Sequence, residues 1–315
     1  MQKKTSRMLS FLSPLTQRRV CAFKTNRRAV ISLLLFVILF GISLLAEVWA
    51  NDKPLVLSYK GNLYFPLFCD YSDEDFGGDF PTSVDYKDKL IIDNIEKNGW
   101  AIWPIIPFSF NTVDYELNVP TPSAPSFRHW LGTDDEGRDI LVRIIYGLRL
   151  SIVFAFLLTL ISSIVGIVVG AIQGYFGGRI EICMQRFLEI WESLPQLFVL
   201  IIIASIFTPT FGSLLIILIL FSWVSLTGVV RAEFLRARNL EFVMAARALG
   251  VSNMRIMYRH ILPNAVIATI TFIPFLLADA IVALAALDFL GFGLSYDYPS
   301  LGDLVRQGKD NLQAP

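Results

Sequence analysis

Apolar runs long enough to cross a bilayer recur along this chain, and they direct it to an all-α membrane protein. About 20 predominantly apolar residues span the hydrocarbon layer as a helix. Spans are expected at about 29–50, 150–171, 193–207, 213–230 and 265–287. The third is entered from an amphipathic stretch over 179–192, and Pro195 is expected to kink that entry. The second is rich in Thr159, Ser162, Ser163, Gly166 and Gly170, small residues that let membrane helices approach closely, so it is expected inside the bundle. A hydrophobic fraction of 54% exceeds the usual range of a soluble domain, about 45–50%.

The formal charge is zero, but it is unevenly spread. Residues 1–28 carry eight Lys and Arg with no acidic residue, and the 231–263 segment carries six arginines against Glu233 and Glu241. Short basic segments stay in the cytoplasm, which puts the N-terminus and the 231–263 loop on that side. Nucleic-acid binding is the rival reading of the basic N-terminus, and an apolar span directly after Arg28 argues against it. The first span could also be read as a cleaved signal peptide. Its core of 18 apolar residues, after a basic stretch 28 residues long, favours an uncleaved anchor.

Residues 51–131 form a predicted periplasmic insertion, and residues 51–149 hold 16 acidic and 9 basic side chains. Strand-like runs over 55–59 and 63–65 flank Lys60-Gly61-Asn62 and predict a β-hairpin. Asn98-Gly99 predicts a second turn leading into a strand through Trp103, and Pro120, Pro122 and Pro125 a stiff return to the membrane. No catalytic constellation lies in this insertion, so a structural or docking role is expected. Of Cys21, Cys69 and Cys183 only Cys69 falls in it, which leaves no disulfide framework. With His129 and His260 the only histidines, no metal site and no cofactor is expected.

A core over 132–315 follows. Thr133 and Glu136 are spaced as a capping box, and the next residues, to Arg149, read as an interfacial helix ahead of the second span. Asp134, Asp135, Glu136 and Asp139 invite a calcium loop, but the EF-hand spacing is absent. Between the fourth and fifth spans lies the basic loop. An amphipathic helix there ends at Gly250, suited to the left-handed position after a helix, and a second short helix, capped by Ser252, is expected to stop at Pro263.

The spacing Ala245-Ala246-x3-Gly250 followed by Leu262-Pro263 resembles the EAA loop of ABC importer permeases. The motif's glutamate falls on Met244, with Glu241 three residues earlier, and its isoleucine on His260. Leu131-Gly-Thr-Asp-x-x-Gly-Arg-Asp139, Tyr146-Gly-x-Arg149-x-Ser151 and Asp288-Phe-Leu-Gly-Phe-Gly293 extend the likeness to the C-type permeases of oligopeptide and dipeptide importers. Asn51-Asp-Lys-Pro-Leu55, Asp75-Phe-Gly-Gly78 and Gly308-Lys-x-Asn-Leu-Gln-Ala-Pro315 look closer still to the Yej-type permeases, associated with peptides and microcin C.

The resemblance implies a type I ABC importer permease helix bundle of the bacterial inner membrane. It implies as partners a second permease subunit, two ATP-binding subunits and a periplasmic binding protein. It also implies a sixth span after the last one here, and a fragment boundary, a truncated gene and a frameshift all fit its absence. Glu241, Phe242, Ala245, Ala246, Gly250, Leu262 and Pro263 become the residues that couple to the ATPase, with Val243 and Leu249 completing the docking face. Packing of the apolar ones against the chain's own helices is the alternative. No phosphate-binding G-x-x-x-x-G-K-[ST] occurs, so ATP is expected on the partners.

Asp279 lies well inside the fifth span, where burying a charge costs about 2.5–3.5 kcal/mol on insertion scales. A pore-lining contact to a peptide amine and a hydrogen-bonded place at a subunit seam are both open to it. An intramembrane hydrolase would need paired polar groups within spans, which Asp279 alone does not supply. A sensor anchored in the membrane would need neither five spans nor the loop.

Overall fold

The computed structural model describes residues 14–78, 81–117, 119–206, 210–295 and 297–313. The chain opens with α1 (Pro14–Thr25) and α2 (Arg27–Leu44), the latter capped by the Asn26 side chain. The apolar side chains of α2 face outward almost throughout, as a lipid-facing first span should. A single turn, α3 (Ala46–Trp49), leads into the insertion.

There β1 (Val56–Tyr59) and β2 (Asn62–Tyr64) form the expected hairpin. Lys60 and Gly61 both take positive φ, 50° and 83°, the two-residue turn whose twist matches antiparallel strands. Between them and β3 stands a helix not expected from the sequence, α4 (Lys89–Asn98), capped by Asp88 and buried through Ile91 and Ile95. Then β3 (Gly99–Ile102) pairs with β1, giving the order β2-β1-β3. At Gly99 an added Cβ would lie 1.8 Å from the Ser58 carbonyl oxygen, so the strands close only over glycine. The aromatic residues are a core: Phe76 touches the rings of Tyr59, Tyr64, Tyr71 and Tyr86 at 5.1 to 6.1 Å.

The central element is α5 (Ile140–Phe176), an unbroken helix of 37 residues, about 55 Å long. The interfacial helix and the second span are therefore one rod that overshoots a ~30 Å hydrocarbon layer. Its cap also differs from the expected box. Asp139 accepts the Val142 N–H at 3.0 Å, while the buried Thr133 hydroxyl is engaged by Ser123 and Glu136 faces solvent beside Arg138.

After Gly177 come α6 (Gly178–Glu192) and α7 (Gln196–Ile206), bent by 72° around Ser193–Pro195. With 11 residues, about 17 Å, α7 is too short to cross alone. Thr208-Pro209-Thr210 reads in the sequence as a tight external turn between the third and fourth spans, and its first two residues lie outside the described residues. Next, α8 (Phe211–Ser222) and α9 (Val224–Ala237) make one long span that runs seven residues past its predicted end at 230. Leu226, Val230, Phe234 and Ala237 explain the extension, because they recur at helical spacing and are buried.

The α5–α9 seam is built on small residues, as the second span's composition implied. A Cβ at Gly166, Gly170 or Gly174 would fall 2.7, 2.6 or 2.5 Å from the carbonyl oxygens of Trp223, Thr227 and Arg231. The glycines let two backbones touch along three successive turns.

The loop region holds α10 (Glu241–Ala248), the short α11 (Asn253–Arg255), a π-helical turn (Ile256–Ile261) and α12 (Leu262–Ile270). Pro263 does not stop a helix here: it sits in the first turn of α12, where its missing N–H is not needed. The preceding π-turn absorbs the change of register. The fifth span completes itself with α13 (Ile273–Phe289), bent by 56° from α12, with Pro274 in its first turn. Last is α14 (Leu301–Asp310), an amphipathic helix absent from the sequence reading, packed back onto α5 and α13.

Candidate functional site

The basic loop is a knob clamped to the end of the α5–α9 pair. The α10 helix ends in a full Schellman turn: Gly250 N–H bonds Arg247 O at 3.0 Å and Val251 N–H bonds Ala246 O at 3.1 Å. Gly250 takes φ +78° with open space around it, so the requirement is conformational rather than steric. Ser252 occupies the N-cap position of α11, but its side chain makes no capping bond.

The predicted coupling residues divide between two faces. Val243 and Ala246 turn inward, joining Tyr175, Phe234, Ile256 and Ile261 in one apolar cluster, with Leu262 partly buried against it. For Val243 and Ala246 the alternative of self-packing is what the structure contains, so they support the knob rather than its surface. Glu241, Phe242, Ala245, Gly250 and Pro263 are exposed, and Leu249 is 83% exposed. Met244, Met254 and Tyr258 extend this apolar outer face.

Other contacts that fix the knob were not foreseen. Tyr175 Oη donates to Asn253 Oδ1 at 2.7 Å, and Arg247 lies over the Tyr175 ring at 5.6 Å. Arg231 pairs with Glu181 at 2.9 Å, joining α9 to α6. These partners are up to 78 residues apart, a separation no local pattern reports.

Asp279 stands apart from that surface, on a cavity of 320 Å³. Thr159 and Ser162 of α5, Gln196 of α7, Ser222 and Ser225 at the α8–α9 junction, and Leu276 and Ala283 of α13 share its wall. Asp279 makes no hydrogen bond or ion pair with any described residue. The second to fifth apolar segments thus converge on a polar pocket, and α2 takes no part in its wall.

The opposite end of α5 carries a buried ionic network instead. Asp134 pairs with Arg138 at 2.8 Å and with Arg143, and Arg143 reaches Asp303 of α14 at 3.2 Å. His129 bridges Asp139 and Asp114 at 2.8 and 3.1 Å. Burial alone would raise the Asp303 carboxyl, but hydrogen bonds from Arg306 and the charge of Arg143 hold it below the ordinary range. Asp114 is lowered in the same way: the hydrogen bond it accepts from His129 and the Arg128 charge outweigh burial. Of the acidic residues that invited a calcium loop, Asp134 and Glu136 serve guanidinium groups, and Asp134 and Asp139 accept backbone N–H groups.

Comparison with known proteins agrees with this architecture. Residues 166–309 match the family described as the binding-protein-dependent transport system inner membrane component. An inner membrane ABC transporter permease protein, YejE of Escherichia coli K12, is 51% identical over 98% of this chain and 90% of its own length. A relative from Agrobacterium fabrum, described as the peptidoglycan transport system permease protein YejE, is 50% identical over 97% of this chain and 86% of its own. The dipeptide transport system permease protein DppC of Bacillus subtilis is more distant, at 35% over 61% of this chain and 59% of its own.

Proposed function

The chain belongs to the binding-protein-dependent transport family, as an ABC importer permease of the inner membrane, and from that premise we propose that it moves peptides or peptide-like compounds into the cytoplasm. Its relatives' names favour peptides, and one of them adds peptidoglycan. Peptide-bearing compounds of the microcin C type belong to the same proposed range. The proposed assembly is this chain, a second permease subunit, two ATP-binding subunits and a periplasmic binding protein. ATP is bound by the ATP-binding subunits.

Coupling is assigned to the knob. The observation that carries this is its outward apolar face, with Phe242, Met244, Ala245 and Leu249 exposed on a helix whose inner face is locked to α5 and α9. A rigidly mounted, solvent-facing apolar helix is suited to a groove on a partner, and it would pass the partner's motion directly into two spans. Glu241 and the loop's arginines lie at the rim.

Co-purification of ATP-binding subunits with the tagged chain tests the assignment. A complex should be recovered with the wild type and be depleted when Phe242 and Leu249 are both changed to Ser. Recovery of an equal complex from that double variant would remove the knob from the interface. Topology gives a second test. The length of α5 supports a topology with its two ends on opposite sides of the bilayer, and the basic segments support a cytoplasmic knob. An alkaline phosphatase fusion after Asn311 should be active and one at Ser252 silent, and the reverse result would overturn the docking role.

A further inference from the structure

The walls of the Asp279 cavity carry one carboxylate and no basic side chain. Two hydroxyls beside it are also unmatched: Thr159 Oγ1 and Ser162 Oγ have no hydrogen-bond partner, on residues only 5% and 3% exposed. Hydroxyls inside helices commonly bond back to a carbonyl one turn earlier. Ser222 and Ser225, on the same cavity, do so at 2.8 and 2.9 Å. The unmatched set is therefore one anionic acceptor and two donors facing a single space.

Volume narrows the ligand. At 320 Å³ the cavity is about ten times the share of one water, ~30 Å³, and reaches the range of small-molecule pockets, about 300–1,000 Å³. It suits an organic cation better than a bare metal ion. Leu158, Phe221, Leu276 and Ala280 complete an apolar lining for the carbon skeleton behind the charge.

Resting on the peptide-import reading, we propose that this cavity receives the primary ammonium end of a peptide in transit. Asp279 accepts hydrogen bonds from the ammonium, and the Thr159 and Ser162 hydroxyls donate to the adjacent carbonyl oxygen. An amide-capped terminus would lose the charge that Asp279 matches. The chain would thus favour peptides that present a free amine.

The test uses the full importer, with its partner permease, ATP-binding subunits and binding protein, reconstituted in proteoliposomes. The probes are trialanine and N-acetyl-trialanine, both at concentrations that saturate the binding protein. Wild type should take up trialanine faster. Asp279→Asn should lower trialanine uptake on the order of tenfold, the scale of one charge-assisted hydrogen bond, and leave the acetylated peptide unchanged. Asp279→Glu should restore part of the preference. Thr159→Val and Ser162→Ala should slow both peptides, because both offer the carbonyl, and unchanged rates in both variants would overturn that contact. The proposal falls if Asp279→Asn keeps the preference, or if it loses both peptides together with the partner subunits, which would mark a subunit seam. If wild type takes up neither peptide, the import reading itself fails, a result distinct from either of these.

Discussion

At its first turns α5 is held by charge, through Arg143 with Asp134 and Asp303, Arg149 with Glu47 at 2.6 Å, and Asp139 with His129. At its last turns it is held by backbone contact over Gly166, Gly170 and Gly174 and by the apolar cluster around Phe234. The same helix is therefore fixed at one end by directional pairs and at the other by close packing. Buried pairs hold one geometry and are costly to break, whereas packed faces can be carried as a unit when a partner pushes on them. The difference suits one end that stays closed on itself and, on the proposed coupling, an opposite end that receives motion.

The largest effect should come from breaking the charged end. Arg143→Leu leaves Asp134 and Asp303 buried with one guanidinium fewer, a change that costs about 3–5 kcal/mol when a buried pair loses one partner. The purified variant should melt well below wild type in detergent, with α14 more open to protease. Unchanged melting would mean that the network contributes no net stability. At the packed end, Gly174→Val drives a side chain against the Arg231 carbonyl and should cost about 1–3 kcal/mol. Gly228→Ala is its control: a Cβ there meets nothing within 4 Å, so the change should be neutral or stabilising. Equal behaviour of the two variants would show that the seam is not close-packed.

Acid should separate the ends more gently. Asp114 and Asp303 are held below the ordinary carboxylate value, so their contribution is complete above that value, about 3.9, and is lost as pH falls through the lowered one. Asp135 has the opposite sign, raised by burial and by Asp134, so it offsets part of the loss. Hydrogen exchange at the insertion end should rise as pH drops below about 4 once the intrinsic rate is corrected. A rise confined to the knob instead would contradict the division of labour.

How much of this was legible depended on range. The apolar runs, the Lys60-Gly61 hairpin and the role of Gly250 at a helix end each rest on local chemistry; the hairpin and the turn appear as expected, and the runs appear as three helices long enough to cross and two bent pairs. The loop's boundary was misread because Arg231 and Arg236 look like loop residues, while the buried positions Val230, Phe234 and Ala237 keep α9 helical beneath them. Pro263 looks like a stop because proline ends helices locally, but the π-turn ending at Ile261 lets it sit in the first turn of the next segment. The cavity was half legible. Asp279 stood out as a charge within a span, but the unpartnered Thr159 and Ser162 come from a helix more than a hundred residues away.

Gly250 should separate fold from coupling. Its φ of +78° costs a β-branched residue about 1 kcal/mol or more, with no clash added. Gly250→Val should therefore reach the membrane in normal amount, while peptide uptake by the assembled importer falls although ATP hydrolysis continues. Normal uptake by this variant would detach the turn from coupling.

The smallest effect on stability should come from the knob's outer face, and there the comparison is sharpest. Leu249 is 83% exposed, so Leu249→Ser removes almost no buried surface, and surface changes of this kind usually stay within about ±0.5 kcal/mol. Melting of the isolated chain should not move. The leucine is expected to become buried only when a partner covers it, so the same change should lower recovery of ATP-binding subunits. Val243, 0% exposed six residues earlier, reverses the pattern: Val243→Ser should lower the melting temperature of the chain by itself. If both variants destabilise the chain, the outer face is part of the fold. If neither changes partner recovery, the exposed apolar helix has some other use. Loss of partner with Leu249→Ser at constant melting temperature is the one outcome that makes this face a contact surface.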